Sequence, residues 1–342
     1  MFNITEVKMG DGTAEQLSNQ EVYDRISWIS LPSNETITIV IDDLTRPDTH
    51  VAFCVVDYVV QRVGVDKTVV VVASGMHQAA SMRVMERRLG FFASELRVYH
   101  HNPLRRFPLS GYVIAVGTAL PHTHAGISGG GKIICPGLSD YKSVQDFHGF
   151  SGDCIEDSMT ESVRYVDVLV NSVINDKGEV VDLFVGDPLL VREQVFGVVK
   201  QNYEVCIRDN MDVAILIPLF KNIDFLQSMN ALQVCKNKSV VRNGGTICIW
   251  SPMPEGIGVH YLFQQPNGLT PATYDGIFEK ELYCKTLAFV TDKVSYEAIQ
   301  EYFDVSVLLC KEMKEFLLHV KNVYGKEANI VVYNGADCMI GT

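Results

Sequence analysis

Short apolar runs alternate along this chain with segments in which apolar residues recur every three or four positions. The runs are rich in Val and Ile, which is typical of strands buried on both faces of a sheet. They predict strands at 36–41, 68–73, 112–117, 166–170, 181–185, 213–216, 246–250, 287–290 and 329–333. The periodic segments predict helices at 51–63, 79–89, 223–232, 296–303 and 312–323. Such an alternation is typical of βαβ units and of a largely parallel sheet.

A polar stretch at 201–209 separates two such series of strands and helices. A chain of 342 residues is also too long for one ordinary core. The sequence therefore predicts an α/β fold made of two domains, each with a largely parallel sheet. We place the first domain at residues 1–205 and the second at residues 206–342.

Composition excludes several classes of function. The chain carries 41 acidic against 29 basic side chains, a net charge of -12, which disfavours general binding to nucleic acid or to an anionic membrane surface. Its nine cysteines form no C-x-x-C pair, as expected for reduced thiols in a cytosol. The sequence has neither a signal peptide nor an apolar run near the ~18 residues that cross a bilayer. We therefore expect a cytoplasmic protein that binds neither nucleic acid nor membrane.

Residues whose side chains could catalyse a reaction or bind a ligand are concentrated in four loops. These loops span 42–50, 74–78, 121–137 and 253–260. Each of the first three follows a predicted strand, and open α/β sheets bind ligands beyond the carboxyl ends of their strands. This shared position predicts that the three loops contribute to one site.

A glycine-rich segment with a lysine occupies the third loop. Its glycines, Gly126 and Gly129–Gly131, allow the backbone to approach a ligand closely. The spacing up to Lys132 matches most of a P-loop, but Ile133 stands where a P-loop needs Ser or Thr, so we reject a nucleotide triphosphatase. Lys132 itself has three interpretations: a phosphate counter-ion, a covalent attachment point or a solvated side chain. Its position behind three glycines favours a ligand group.

Four histidines are candidates for chemistry. His122 and His124 have the H-x-H spacing of a zinc pair, although either could equally be a loop histidine bonded to the backbone. His77 precedes a predicted helix, where the helix dipole favours a neutral imidazole that can act as a general base. His148 lies between two aromatic residues, and by itself it is more often structural.

The first loop offers a guanidinium. Arg46 can present a two-pronged donor to a carboxylate or phosphate, with Asp43 as its partner. The alternative is that Asp43 shapes a turn and that Arg46 bonds backbone carbonyls. The sequence does not choose between these two interpretations.

Taken together, these segments resemble the nickel-dependent lactate racemase family. The matching pieces are D-x-T-R at Asp43–Arg46, G-x-H at Gly75–His77, H-x-x-A-G-x-x-G-G-x-K at His122–Lys132, His148, Gln227, Gly244-Gly245, and E-G-x-G at Glu255–Gly258. Any one piece is a weak signal. Their order along nearly the whole chain makes a chance match unlikely, and the His-to-Lys segment is specific.

The resemblance implies a cofactor and a role for each matched residue. The cofactor is the nickel-pincer nucleotide, a pyridinium-3-thioamide-5-thiocarboxylic acid mononucleotide, joined to Lys132, with His148 as the protein ligand of its nickel ion. His77 and His122 are the implied acid/base pair. The residues implied around the nucleotide are Asp43, Thr45, Arg46, Gly129, Gly130 and Gly131. Maturation then depends on proteins of cofactor biosynthesis as partners.

The implied activity is racemisation or epimerisation of a small-molecule 2-hydroxy acid by proton-coupled hydride transfer. A Cα hydrogen beside a carboxylate leaves more easily as a hydride than as a proton, provided that a base takes the hydroxyl proton. Two bases, His77 and His122, are needed because the two enantiomers present their hydroxyls differently. On this interpretation residues 1–205 bind the cofactor and residues 206–342 close the substrate cleft, with the active site between them.

Two departures from the family pattern concern the substrate. Gln78 stands where lactate racemases have an arginine, and Asn230 stands where they have a lysine three residues after Gln227. We expect Gln78, Gln227 and Asn230 to line the substrate pocket with Arg46. Because two cations are missing, a larger or more hydroxylated acid than lactate is expected.

Two alternative functions remain open. The first is a divalent-metal hydrolase that uses His122, His124 and His148. The second is a catalytically altered protein that binds the cofactor without turnover, for which the departures at Gln78 and Asn230 are the argument. The choice of His122 over His124 as the catalytic base rests only on the family spacing to Lys132.

Overall fold

The computed structural model describes residues 2–9, 14–122, 125–149, 159–236, 238–264, 282–303 and 307–342, without the side chains of 147–149 and 264. The chain divides into two compact units, residues 12–201 and residues 1–11 with 202–342. Up to residue 203 the elements are β1 (Asn3–Lys8), α1 (Asn19–Ile26), β2 (Ile37–Asp42), α2 (Val51–Val63), β3 (Thr68–Ala73), α3 (Met82–Leu89), α4 (Phe92–Glu95), β4 (Arg97–His100), β5 (Tyr112–Thr118), β6 (Pro121–His122), β7 (Gly126–Ile127), α5 (Tyr141–Gly149), β8 (Val168–Ile174), β9 (Val180–Gly186) and α6 (Pro188–Tyr203). The later elements are β10 (Glu204–Val205), β11 (Met211–Ile217), α7 (Phe225–Ser228), β12 (Val241–Trp250), α8 (Tyr261–Gln264), β13 (Thr286–Val290), α9 (Tyr296–Gln300), β14 (Val307–Cys310), α10 (Met313–Tyr324), β15 (Asn329–Asn334) and β16 (Ile340–Gly341).

The unit of residues 12–201, here called the N-terminal unit, is built on a six-stranded sheet of order β4-β3-β2-β5-β8-β9. All neighbouring strands are parallel except β8 and β9. These two strands are joined by a tight turn in which Asn175 Oδ1 accepts the backbone N–H groups of Lys177 and Glu179. So short a connection permits only antiparallel pairing. The central strands are apolar because helices and loops cover both faces, and Ile39, Val70 and Ile114 have no exposed surface.

The other unit, here called the C-terminal unit, has a six-stranded sheet of order β1-β15-β11-β12-β13-β14, and all its neighbouring strands are parallel. Strand β1 belongs to this unit, although the sequence analysis assigned it to a domain of residues 1–205. Its ladder pairs Asn3 with Asn329 and Lys8 with Asn334. As an edge strand with mostly exposed residues, β1 lacks the apolar run that marks the central strands. The prediction of two α/β domains with largely parallel sheets is confirmed.

One predicted helix differs in kind from the helix observed. The segment 223–232 contains the short helix α7 followed by a 3-10 helix, Met229–Cys235. The apolar residues Leu226, Met229 and Leu232 recur strictly every three positions, and a 3-10 helix brings residues at that spacing onto one face. An α-helical stripe mixes spacings of three and four. The strict spacing was therefore the signal for 3-10 geometry.

Two further findings concern the whole of the described structure. Within it, no helix combines the length and apolar character needed to cross a membrane. The described cysteines are free thiols, and Cys154 lies outside the described residues.

Candidate functional site

The candidate site lies where the strand order of the N-terminal sheet reverses. The chain runs from β2 outward through β3 to β4 and then returns to β5 on the other side of β2. The crevice beyond the carboxyl ends of strands at such a reversal is the usual ligand site of open α/β sheets. The loops after β3, β2 and β5 therefore emerge side by side, as their shared position in the sequence predicts. The fourth loop, 253–260, belongs to the C-terminal unit.

An aspartate and a histidine pair across two of these loops. Asp43, after β2, is 5% exposed, and its Oδ2 lies 2.5 Å from Nδ1 of His77, after β3. Burial opposes ionisation of Asp43, but the charge and hydrogen bond of His77, together with Arg46 and Thr45, outweigh it and hold the pKa of Asp43 well below its usual range. When the His77 ring is neutral, an ionised Asp43 favours the proton on Nδ1 and leaves the lone pair on Nε2. That atom is suited to accept a proton.

We expect the interaction between Asp43 and His77 to make the stability of the folded protein depend on pH. Replacing Asp43 by asparagine is expected to lower the midpoint of urea denaturation at pH 7. Because the pKa of Asp43 is depressed in the folded protein, its stabilisation is present above the pKa of the unfolded carboxyl, about 3.9, and is lost as the pH falls from there towards the folded value. The difference between wild type and D43N should therefore shrink below about pH 4. Asp48→Asn, exposed on the same loop, is the control. A D43N deficit of constant size down to about pH 3 contradicts the assignment.

His122 contacts the backbone through Nδ1. It lies in β6, after β5, and its Nδ1 accepts the backbone N–H of Ala125 at 3.2 Å. In the neutral ring, an accepting Nδ1 places the proton on Nε2. His122 can act as an acid only with a second proton bound, because loss of the Nε2 proton from the neutral ring would leave an anion. The parent strands of His77 and His122, β3 and β5, are separated by β2 and so lie about 10 Å apart.

The loop after β2 is shaped by its own side chains. Asp43 Oδ1 accepts the backbone N–H of Thr45 at 3.1 Å and its hydroxyl at 2.6 Å, which closes a tight turn. Arg46 donates to Thr45 Oγ1 at 3.1 Å and to its carbonyl at 3.3 Å. The structure therefore favours the turn interpretation for Asp43, while the half-buried guanidinium of Arg46 acts on the carboxyls of Asp42 and Asp43 and opposes the rise in pKa that burial causes at each.

A second arginine, absent from the sequence predictions, anchors this loop. Arg88 is 7% exposed, and its guanidinium donates to the carbonyl of Asp42 at 2.7 Å and to the carbonyl of Arg46. Asp42 in turn accepts the N–H of Thr118 at 2.6 Å, so the ends of β2 and β5 are joined as well. The sequence contained a signal: Arg88 falls on the buried stripe of α3, one position before Leu89. A charge on a buried face needs partners.

Arg88→Met is expected to destabilise the protein and to loosen the loop after β2. The substitution leaves two carbonyls without their donor, and a buried acceptor in that state costs about 1–3 kcal/mol. Urea denaturation and amide exchange of residues 43–46 measure the two effects. The matched control is Arg87→Met, on the exposed face of the same helix. Equal midpoints for the two variants contradict the anchoring role of Arg88.

The glycine-rich segment forms a 3-10 turn, Gly130–Ile133, with Lys132 half-buried inside it. Two of its glycines are required by packing within the protein. A Cβ at Gly131 would lie 2.0 Å from the carbonyl oxygen of Met159, and one at Gly129, with φ at 81°, would lie 2.9 Å from the Asn171 amide. The glycines thus fix the backbone that carries Lys132. The sequence had instead suggested that they allow the backbone to approach a ligand.

The comparisons with known proteins agree with this geometry. A family model described as the lactate racemase N-terminal domain matches residues 104–158. The fold is similar to that of the lactate racemase apoprotein from Thermoanaerobacterium thermosaccharolyticum, with a TM-score of 0.74 and 17% identity over 99% of this chain and 94% of that one. It is also similar to a Thermotoga maritima protein from a structural genomics programme, with a TM-score of 0.70 and 15% identity over 96% and 98% of the two chains. No curated protein matches the sequence. The comparisons therefore relate residues 104–158 to the lactate racemase N-terminal domain and the fold of the chain to that of a lactate racemase.

This relation supports a racemase-type function in general terms. At 15–17% identity the two structures are alike in fold, so the substrate and the mechanism rest on the residues of this chain. The family match covers the segment with His122, Lys132 and His148.

The family implies a lysine-bound nickel nucleotide, and the described residues near Lys132 fit such a group. The loop 74–78 is bonded to this segment through Gly75 N–H and the Gly137 carbonyl, at 2.9 Å. At its start Ser74 Oγ is buried and has no hydrogen-bond partner among the described residues. Nothing lies within 4 Å of the position that a Cβ of Gly75 would take. A polar ligand that accepts or donates one hydrogen bond suits this combination of open space and an unsatisfied hydroxyl.

The metal-ligand predictions fall largely outside the described residues. His124 is not described, and His148 is placed on α5 without its side chain. Among the side chains that the structure does describe, no group of three or more His, Cys, Asp or Glu residues could hold a metal ion. His148 as a nickel ligand and the zinc alternative both remain predictions.

The predicted substrate residues occupy both units. Gln78 is half-buried next to His77 in the N-terminal unit. Gln227 is 6% exposed in α7 of the C-terminal unit. Asn230 lies just beyond α7, and its amide donates to the carbonyl of Gln227 at 2.9 Å. It also accepts a hydrogen bond from Lys221, a residue that the sequence analysis did not single out.

Proposed function

We propose that the protein is a racemase or epimerase of a 2-hydroxy acid and uses a nickel-pincer nucleotide joined to Lys132. The observation that carries the proposal is that two imidazoles, those of His77 and His122, lie on loops after strands of one sheet edge. Nδ1 of His77 is bound to Asp43, while Nδ1 of His122 accepts a backbone N–H. We propose that one ring, when neutral, takes a proton at Nε2 while the other, as an imidazolium, gives one. Inversion of a carbinol centre needs both capacities at the same time.

We propose that His77 and His122 transfer the hydroxyl proton of the substrate. His77 Nε2 takes the hydroxyl proton of one enantiomer as its C–O bond becomes a carbonyl. Asp43 stabilises the imidazolium that results and fixes the orientation of the ring. His122, as an imidazolium, returns a proton to the same oxygen after the planar keto acid has turned its other face, and this ring is then neutral. For the opposite enantiomer the two histidines exchange roles, so the proposal requires both.

The cofactor is assigned to the loops around Lys132. When bound, the nucleotide would supply the hydride chemistry at Cα that no side chain of the protein offers. Lys132 would attach it, His148 would ligate its nickel, and the Asp43–Arg46 turn with the Gly129–Gly131 segment would border it. This proposal makes the proteins of cofactor biosynthesis necessary partners for maturation.

The substrate class follows from the polar side chains proposed to line the pocket. Arg46 supplies a guanidinium for a carboxylate, and Gln78, Gln227 and Asn230 supply amides that hydrogen-bond neutral hydroxyls well. We therefore propose lactate-like or larger, polyhydroxylated 2-hydroxy acids as substrates.

Transfer of hydrogen within the site can be measured directly. Protein produced together with the cofactor pathway is incubated with enantiopure 2-hydroxy acids, including lactate and gluconate, in deuterated water. The expected product is the opposite configuration at C2 with the original hydrogen still on that carbon, because a hydride held in the site does not exchange with solvent. Chiral chromatography and mass spectrometry measure both.

Two outcomes contradict the proposal. Deuterium at C2 of the product indicates proton abstraction by a base in place of hydride transfer. Loaded protein that inverts none of the acids favours the alternative of a binding protein without turnover.

A further inference from the structure

One buried cation in the C-terminal unit has no role in the chemistry described so far. Lys221 is 2% exposed and is one of the largest fully buried side chains. Lysines are almost never fully buried unless their charge is compensated, because removing an ammonium from water is costly. A position of this kind therefore calls for an explanation.

Lys221 lies at the point where the strand order of the C-terminal sheet reverses. From β11 the chain moves outward through β12 and β13 to β14, and it then returns to β15 on the other side of β11. Lys221 follows β11, and Asp337 follows β15. The carboxylate of Asp337 accepts the backbone N–H groups of Leu219 at 2.6 Å, Phe220 at 3.0 Å and Lys221 at 2.8 Å. The loop that carries Lys221 is thereby fixed in the crevice where open α/β sheets bind ligands.

The surroundings of Lys221 are polar as well as buried. Its ammonium donates to Asn230 Oδ1 at 3.3 Å, and Asn230 donates onward to the carbonyl of Gln227. Asp224 is also buried, caps α7 through the N–H of Gln227 at 2.7 Å, and lies so close to Gly258 that a Cβ there would be 2.3 Å from its carboxyl carbon. An ammonium with the amide of Asn230 beside it is a suitable receptor for an anion that also carries hydroxyls.

We propose that Lys221 binds a carboxylate group of a 2-hydroxy acid in the C-terminal unit, in addition to the carboxylate contact proposed for Arg46, and this proposal rests on the function proposed above. Lys221, on the loop after β11, then provides a positive charge beside Asn230, whose own side chain is neutral. A free carboxylate on the substrate is required, and the amides of Gln227 and Asn230 are left for its hydroxyls. The alternative is that Lys221 serves only as a counter-ion to Asp224.

A charge exchange between positions 221 and 230 tests this assignment. Binding of lactate, gluconate and the neutral analogue lactamide to the full-length protein is measured by calorimetry for wild type, K221M, N230K and K221M/N230K. We expect K221M to bind the better of the two acids at least tenfold more weakly and lactamide unchanged. The double variant should recover most of the lost affinity, because the new lysine brings an ammonium back within reach. N230K alone should bind no more tightly than wild type, since two ammonium groups would then compete for one position.

Controls separate this role from a structural one. Lys236→Met removes an exposed lysine from the end of the neighbouring 3-10 helix and should leave binding unchanged. Thermal denaturation reports whether each variant is folded, and K221R, which keeps the charge, should bind the acids more tightly than K221M. The proposal is overturned if K221M binds the acids as wild type does, if it loses lactamide and acid equally, if the double variant stays as weak as K221M, or if wild type binds neither acid.

The result is independent of the proposed function. If loaded wild type inverts a 2-hydroxy acid while K221M binds it normally, only the assignment of Lys221 fails. If loaded wild type inverts nothing but the charge exchange behaves as expected, the racemase proposal fails and the carboxylate site stands.

Discussion

Protein with Lys132 replaced by arginine, produced together with the cofactor pathway, is expected to carry no covalent adduct and to lose racemisation altogether. Arginine keeps the positive charge but offers no primary amine for the thioamide bond. The proposed chemistry depends on that bond, so no partial activity should remain. Intact-mass and peptide mass spectrometry measure the adduct, and chiral chromatography measures turnover. This is the largest effect that we expect from a single substitution.

Lys142→Arg provides the matched control. This lysine is exposed on α5, ten residues beyond Lys132. The variant should carry the same adduct as wild type and the same activity. Full activity in K132R, or an adduct on a different lysine, would falsify the attachment site.

Single replacement of His77 or of His122 by alanine is expected to reduce turnover by about 10²–10⁴-fold while the adduct on Lys132 persists. Each ring is proposed to take the hydroxyl proton of one enantiomer, because the two enantiomers present their hydroxyls differently. Removal of either ring therefore stops the complete inversion. In a single turnover, each variant should still form the keto acid from one enantiomer only. The enantiomer that H77A converts should be the opposite of the one that H122A converts.

The control for the histidine variants is His319→Ala, on α10 of the C-terminal unit. It should leave both turnover and the adduct unchanged. If H77A and H122A lose keto acid formation from the same enantiomer, the two rings do not work on opposite faces. Loss of the adduct in either variant indicates a role in holding the cofactor.

Part of the fold was predictable because its signal is local. Strand β3 and helix α2 have the predicted bounds, β2 is shifted by one residue at each end, and β5 is one residue longer than predicted. A strand buried on both faces must be apolar at every position, so its sequence reports its environment directly. Edge strands such as β1 and β4 have exposed and half-buried residues, so their side chains need not be apolar. They lack a continuous apolar run and were missed for that reason.

The candidate site was predictable to the same extent. The loops after β2, β3 and β5 were found because functional residues follow strands in order along the chain. The contacts that give those residues their properties join positions far apart in sequence. Asp43 bonds His77, 34 positions further on, and Arg88 bonds the carbonyl of Asp42 across 46 positions. No local pattern encodes such pairs.

The sequence by itself determined that two α/β domains with parallel sheets would form and that the His-to-Lys segment would mark the candidate site. Periodicity and motif spacing are properties of neighbouring residues, so they can be read before folding. Only the tertiary structure decided that Asp43 bonds His77, that Arg88 fixes the first loop, and that Lys221 contacts Asn230. Those outcomes depend on which loops the order of strands in each sheet brings together, and that order is set when the whole chain buries its apolar faces.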